Sequence, residues 1–426
     1  MPVCARSPVT DGKRVILIVI DGLTPSMLEA TDAPTLRFLL DNGSYRRATS
    51  TFPSLTPVCL ASIATGAHPD VHGIPHLVWW NRAEGRLVEY GSSFGALVAS
   101  GLARGIRDTI VNLNERHLST RAETVYELLE DAGLTTAAIN ITTYRGRTLH
   151  TSSVPGLPPV HGPKRFFFYS IYESDRTGAP VAWRNRAGGS IDAYAGQVGR
   201  WLVTRDAFDL LVFYLPDYDY ASHAVGPDAA YDALRRADSA IAALVEAAGG
   251  RDEFLERYAV ALCSDHGQSR IEQAASLQVD GALVTGSNRA AMLYSEGGDA
   301  RTLAAALDGE PSVGVAVFLD GGTLVARRGG DEDPAILDEY PDGRTRAEAA
   351  LRNPNAGEVI VSAAPGFEFT DLAGRTHVGG GSHGSLELGD SEVPMLTIGL
   401  GEPPASITGL KALVAAHFGV GVAHAA

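Results

Sequence analysis

RVILIVIDG (14–22) holds six consecutive apolar residues, mostly β-branched, followed by Asp21-Gly22. A strand with one wet face would alternate polar and apolar side chains, whereas an unbroken apolar run suits a strand buried on both faces, as in a parallel sheet. Three further runs have the same character: TTAAINI (135–141), FDLLVFYL (208–215) and YAVALC (258–263), with a last strand expected at 395–400. Between them lie helical patterns. Residues 26–40 carry helical spacing broken by Pro34; Asp228–Ala248 has Leu234, Ala237, Ile241, Leu244 and Val245 on one face and closes at Gly249-Gly250; Ala405–Phe418 is an amphipathic end helix. Alternating strands and helices predict an α/β fold: a doubly wound, mostly parallel central sheet with helices on both faces.

Polar residues cluster just beyond the strand ends: Asp21 after the first run, Asp217 and Asp219 after the third, and Asp265-His266 after the fourth. Open α/β sheets bind ligands outside the carboxyl ends of their strands, so these residues are expected to share one site. Asp219 and His223, four apart, project from one side of a helix, and that spacing favours Asp219 over Asp217. His383 lies in the glycine run 379–384, where backbone and ligand can approach closely.

ATSTFPSLTPVCLASIATGAHPDVHG (48–73) supplies a nucleophile. Ser54-Leu55-Thr56-Pro57 resembles a helix start with a hydroxyl N-cap and proline in the first turn, and Gly66 is a helix stop. Thr51, just before that start, faces the positive end of the helix dipole, where a phosphate would sit. No base lies beside it in the chain, so a metal ion is the expected means of activating its hydroxyl. Two ligand sets assemble: Asp219, His223 and His383; and Asp21, Thr51, Asp265 and His266. Mixed His/Asp ligands suit Zn²⁺, with Mn²⁺ the alternative where carboxylates dominate. Two divalent cations side by side stabilise the attacking and leaving oxygens of an in-line displacement.

IVIDG (18–22), TSTFPS (49–54), ATGAHPDVHGI (64–74), DYASH (219–223), SDHG (264–267) and GSHG (381–384) occur in the order seen in the alkaline phosphatase superfamily. The resemblance is closest to its nucleotide pyrophosphatase/type I phosphodiesterase branch and spans about half the chain. It implies a phospho-threonine intermediate on Thr51 and hydrolysis of a phosphodiester or nucleotide pyrophosphate. A phosphomonoesterase, a phosphonoacetate-like phosphonate hydrolase, a phosphomutase and an inactive metal-binding protein are the alternatives. That branch has Phe-Pro-Asn where this chain has Phe-Pro-Ser, so Ser54 is the donor expected at the phosphoryl oxygen. Phe52, with Trp79, Trp80, Tyr218 and Tyr220, is a candidate to stack on a nucleoside. Arg145 and Arg147 could clamp a carboxylate or phosphate, but an exposed loop pair is the favoured reading.

The chain of 426 residues is long enough for one α/β domain with insertions, expected at about 74–118, 150–200 and 276–375. A net charge of −15 argues against a nucleic-acid surface but permits a small phosphorylated substrate, because bound cations reverse the local field. Cys4, Cys59 and Cys263 are scattered and odd in number, which fits reduced thiols. The Val15–Ile20 run is too short for a signal core or a membrane span. A cytoplasmic protein without membrane attachment is expected.

Overall fold

The computed structural model describes residues 12–182, 190–295 and 297–422; Cys4 lies outside them. The central sheet contains β1 (Arg14–Ile20), β2 (Ser44–Thr49), β3 (Thr136–Ile139), β4 (Arg165–Phe168), β5 (Tyr172–Glu173), β6 (Leu210–Leu215), β7 (Tyr258–Cys263) and β8 (Glu392–Ile398). Their order across the sheet is β2-β8-β7-β1-β6-β3-β4-β5. The five strands from β7 to β4 are parallel, while β8 pairs antiparallel with both β7 and β2, and β5 antiparallel with β4.

The helices that matter for packing are α1 (Pro34–Asn42), α2 (Thr56–Thr65), α3 (Phe94–Ser100), α4 (Val125–Asp131), α5 (Ile191–Val203), α6 (Asp217–Val225), α7 (Tyr231–Ala248) and α8 (Leu410–His417). Strand β1 shows why its sequence lacks alternation. Ile16, Ile18 and Ile20 face a core shared with α1, α5 and α7. Val15, Leu17 and Val19 face a second core with α2, α4 and α8. Both pleat faces are dry, so a polar residue on either would be buried without a partner.

Residues 283–363 supply a second sheet of six strands, in the order Leu283–Ser287, Ala290–Tyr294, Val359–Ala363, Val313–Asp320, Thr323–Arg328 and Asp331–Glu332. One face packs through Met292, Val315 and Ile360 onto Phe52, Leu55 and Val58 beside α2. The insertion is therefore tied to the segment that leads into α2. Among the described residues, no helix is long and apolar enough to cross a membrane.

Two local expectations need correction. Leu55, not a hydroxyl residue, is the N-cap of α2, and it makes no side-chain cap; Gly66 does close the helix in the left-handed region. The segment 150–200 is not wholly an excursion, because its Phe-Phe-Phe run enters the central sheet as β4, paired in parallel with β3.

Candidate active site

The carboxyl ends of β1, β6 and β7 lie side by side at the centre of the parallel sheet and place Asp21, Asp219 and Asp265-His266 on one rim. Helix α6 starts two residues after β6 and carries Asp219 and His223 one turn apart. His383 arrives from the loop that returns from the insertion towards β8. These six residues form two adjoining groups, Asp219/His223/His383 and Asp21/Asp265/His266, with candidate ligand atoms within 4.8 Å of one another in each. His266 and His383 connect the groups, their rings stacked at 3.5 Å and 9°.

The geometry and chemistry of both groups fit a divalent cation. Tetrahedral coordination with bonds of about 2.0–2.1 Å separates ligand atoms by about 3.4 Å. Here His266 Nε2 is 3.3 Å from Asp21 Oδ1 and 3.4 Å from Asp265 Oδ2. His223 Nε2 is 3.3 Å and His383 Nε2 3.8 Å from the Asp219 carboxylate. Each histidine turns Nδ1 to a backbone carbonyl: His223 to Gly381 at 2.8 Å, His266 to Gly267 at 3.0 Å and His383 to Ser54 at 2.7 Å. An Nδ1–H donated in this way directs Nε2 inward as the ligating atom. Asp21 Oδ1 and Asp265 Oδ2 are buried and make no hydrogen bond.

The electrostatics agree. Burial pushes the Asp265 carboxyl well above the ordinary range, and the neighbouring Asp21 adds to the push. Burial opposes charging of His266, yet Asp265 and Asp21 lift it to about 10. Both shifts come from acidic groups and an imidazole packed together away from water, and a bound cation would relieve them. Further side chains orient the carboxylates: Tyr214 donates its hydroxyl to Asp21 Oδ2, Gln268 donates to Asp219 Oδ1, and Gly22 N–H reaches Asp265 Oδ1 at 3.2 Å. Gly22 has φ +69, and a Cβ there would lie 2.9 Å from Asp219 Oδ1. Glycine is needed at that point of closest approach.

The structure does not bring the Thr51 hydroxyl to this rim. Thr51 is buried, donates towards Cys59 Sγ at 3.6 Å and accepts from Ser62 at 3.3 Å. The hydroxyl beside the Asp21/Asp265/His266 group is that of Thr56, 3.0 Å from His266 Nε2 and lining the cavity. Thr56 is also the first residue of α2, so the helix-terminus argument applied to Thr51 belongs to it. The available sequence signal was Pro57: a proline in the first turn puts the preceding hydroxyl at the very start of the helix.

The other substrate-contact expectations fare similarly. Ser54 is buried; its hydroxyl faces the Thr51 and Ser385 carbonyls at 3.0 and 3.1 Å and accepts from Arg346, so it points away from the cavity. Phe52, Trp79 and Tyr218 are fully buried in apolar clusters, and Trp80 packs against one, whereas Tyr220 lines the cavity. Asp217 accepts from Ser190 and the backbone at the start of α5. Arg145 and Arg147 are engaged with Glu127. An amide does enter the cavity, from the inserted sheet: Asn288, at φ +57, holds its Nδ2 3.2 Å from His383 Nε2. Asn tolerates that left-handed conformation better than most residues.

The cavity outside the two groups is about 860 Å³, far larger than a phosphoryl group requires. Its walls come from all three expected excursions: Tyr90 and Phe94, Tyr169, and Asn288 with the loop 375–378.

A rim of Asp and His ligands at the ends of parallel strands, with a hydroxyl at a helix N-terminus, defines an alkaline phosphatase-like hydrolase of phosphate esters. The family description "Type I phosphodiesterase / nucleotide pyrophosphatase" matches residues 15–386, and the chain belongs to that family. No curated protein matches the sequence. Among solved structures, the chain is similar to murine ectonucleotide pyrophosphatase/phosphodiesterase 5, at 14% identity over 96% of each chain with a TM-score of 0.66. An inactive form of that protein in complex with AMP gives 14% identity, the same coverage and a TM-score of 0.67. Phosphonoacetate hydrolase from Sinorhizobium meliloti 1021 in complex with phosphonoformate gives 18% identity over 95% of this chain and 96% of that chain, with a TM-score of 0.65. At these identities the likeness is one of fold.

Proposed function

We propose that this protein hydrolyses phosphodiesters or nucleotide pyrophosphates through a phospho-threonine intermediate, with the Thr56 hydroxyl as nucleophile. The 3.0 Å approach of Thr56 Oγ1 to His266 Nε2 carries this reading, because it sets an alcohol at the edge of the Asp21/Asp265/His266 group. Asp21, Asp265 and His266 would hold one divalent cation, and Asp219, His223 and His383 a second. Bound cations, Zn²⁺ or Mn²⁺, would lower the pKa of hydroxyl groups and offset charge on the transferred phosphoryl group.

The residues of the chain divide the remaining work. Thr56 Oγ1 forms the new bond to phosphorus as the bond to the leaving oxygen breaks; the hydroxyl proton passes to solvent and the leaving group departs as the alcohol or phosphate. Water then cleaves the threonine ester and restores the hydroxyl. The N-terminus of α2 favours the anion at this point, and the Asn288 amide supplies a donor on the His383 side. Purified protein with two equivalents of Zn²⁺ or Mn²⁺ is expected to release p-nitrophenol from bis(p-nitrophenyl) phosphate. Absence of turnover with either metal would refute the proposal.

A further inference from the structure

We infer that Arg375 binds a second anionic group of the substrate, a carboxylate or a further phosphoryl group, at the outer part of the cavity. The inference rests on the hydrolase reading above and names its substrate class: a molecule with two negative charges, one at the reacting phosphorus and one beyond it. Arg375 is the sole lysine or arginine among the residues lining the 860 Å³ cavity. It sits two residues before His377, whose ring stacks on His223 at 4.1 Å, so its backbone is anchored close to the Asp219/His223/His383 group.

The segment that carries Arg375 is fixed on both sides. The Asp371 side chain accepts from the Ser93 hydroxyl and from the backbone N–H groups of Ala373 and Arg375, the latter two at 2.8 Å. On the other side, the buried Glu368 carboxylate holds the His377 backbone and its Nδ1, the latter at 2.9 Å. Between these anchors the arginine is solvent-exposed, and the structure shows no protein partner for its guanidinium among the described residues. A guanidinium held on an ordered loop loses little freedom when it meets an anion and recognises carboxylate or phosphate with a planar fork of donors. Phe94 of α3, 70% exposed, lines the same cavity and gives it an apolar surface against which a linking group or ring can lie.

Arg375→Ala and Arg375→Lys in the metal-loaded protein test this with three substrates: bis(p-nitrophenyl) phosphate, which carries no second anionic group; ATP, with further phosphoryl groups; and phosphonoacetate, with a carboxylate. The expected result is kcat/KM for bis(p-nitrophenyl) phosphate within about twofold of wild type. For ATP or phosphonoacetate, whichever the wild type uses, Arg375→Ala should lower kcat/KM by about tenfold or more, chiefly through KM, with Arg375→Lys intermediate. Calorimetric binding of the same compounds to a Thr56→Ala background should show the same split without turnover. Equal loss on all substrates, no loss on either substrate with a second anionic group, or a wild type that accepts only the singly charged diester overturns the inference and leaves the hydrolase reading standing. A protein that turns over none of the three overturns that reading as well.

Discussion

Thr56 Oγ1 and His266 Nε2 stand 3.0 Å apart, joining the first turn of α2 to the end of β7 across 210 residues of sequence. Thr51, five positions earlier in the same segment, directs its hydroxyl at Cys59 instead. The two threonines therefore make opposite predictions. Thr56→Ala should reduce turnover by about a thousandfold or more while the protein stays folded. Thr51→Ala should keep turnover within about tenfold and cost about 1–2 kcal/mol of stability, from a buried hydroxyl contact. Steady-state rates on bis(p-nitrophenyl) phosphate, with a denaturant midpoint for each variant, separate them; full activity in Thr56→Ala would remove it as nucleophile.

On the two-cation proposal, chelation should abolish turnover and lower Tm, because Asp21 Oδ1 and Asp265 Oδ2 are buried without hydrogen bonds and would lose the charge that offsets them. A cation present at about a hundredfold excess over its Kd contributes about 2.7 kcal/mol. Two equivalents of metal should bind per chain, and Asp219→Asn should reduce this towards one. Elemental analysis after gel filtration measures the ratio, and one equivalent in the wild type would contradict the two-group arrangement.

Glu89 gives the stability a pH dependence unconnected with the metal groups. Burial lifts its carboxyl to about 7 and Asp371 adds to this, against the N–H groups of Ser92 and Gly91. Its folded pKa thus exceeds the unfolded value of about 4.3, so the folded state holds the extra proton between the two. Stability is expected to fall as pH rises through that window, by on the order of 3 kcal/mol for this group. Glu89→Gln should remove the slope, and urea midpoints at pH 5 and pH 8 for both proteins check it. A wild-type slope retained in the variant would assign it elsewhere.

The loop bearing His383 depends on a buried ion pair. Arg289 and Asp390, both fully buried, meet at 2.8 Å, and Arg289 N–H also donates to the His383 carbonyl at 2.9 Å. Asp390 in addition accepts from the Ser385 backbone at 2.9 Å. Arg289→Met leaves that carboxylate buried without its counter-charge and should cost about 3–5 kcal/mol. Asp390→Asn in the same chain should recover part of the loss, read as a shift in the urea midpoint; no recovery would mean that the arginine acts through its packing alone.

Legibility in the sequence followed the range of the forces involved. Asp219 and His223 were readable because four residues on a helix fix two side chains on one face, and Asp265-His266 because they terminate an unmistakable buried strand. His383 was marked only by its flanking glycines. Asn288, Gln268 and Tyr214 were missed: each reaches the site through a turn or strand register that no local pattern announces. Ser54 and Phe52 were misassigned for the same reason, since Arg346 and the inserted sheet, remote in sequence, draw them inward.

The amino-acid order alone determined the buried parallel strands, the helices on either side and the kinds of residue at the strand ends, because hydrophobic periodicity and helix spacing are short-range properties. Which threonine faces the Asp and His groups was decided by the folded chain. Six residues between β2 and α2 are enough to turn one hydroxyl into the core and another onto the rim, and contacts with the inserted sheet hold that turn in place.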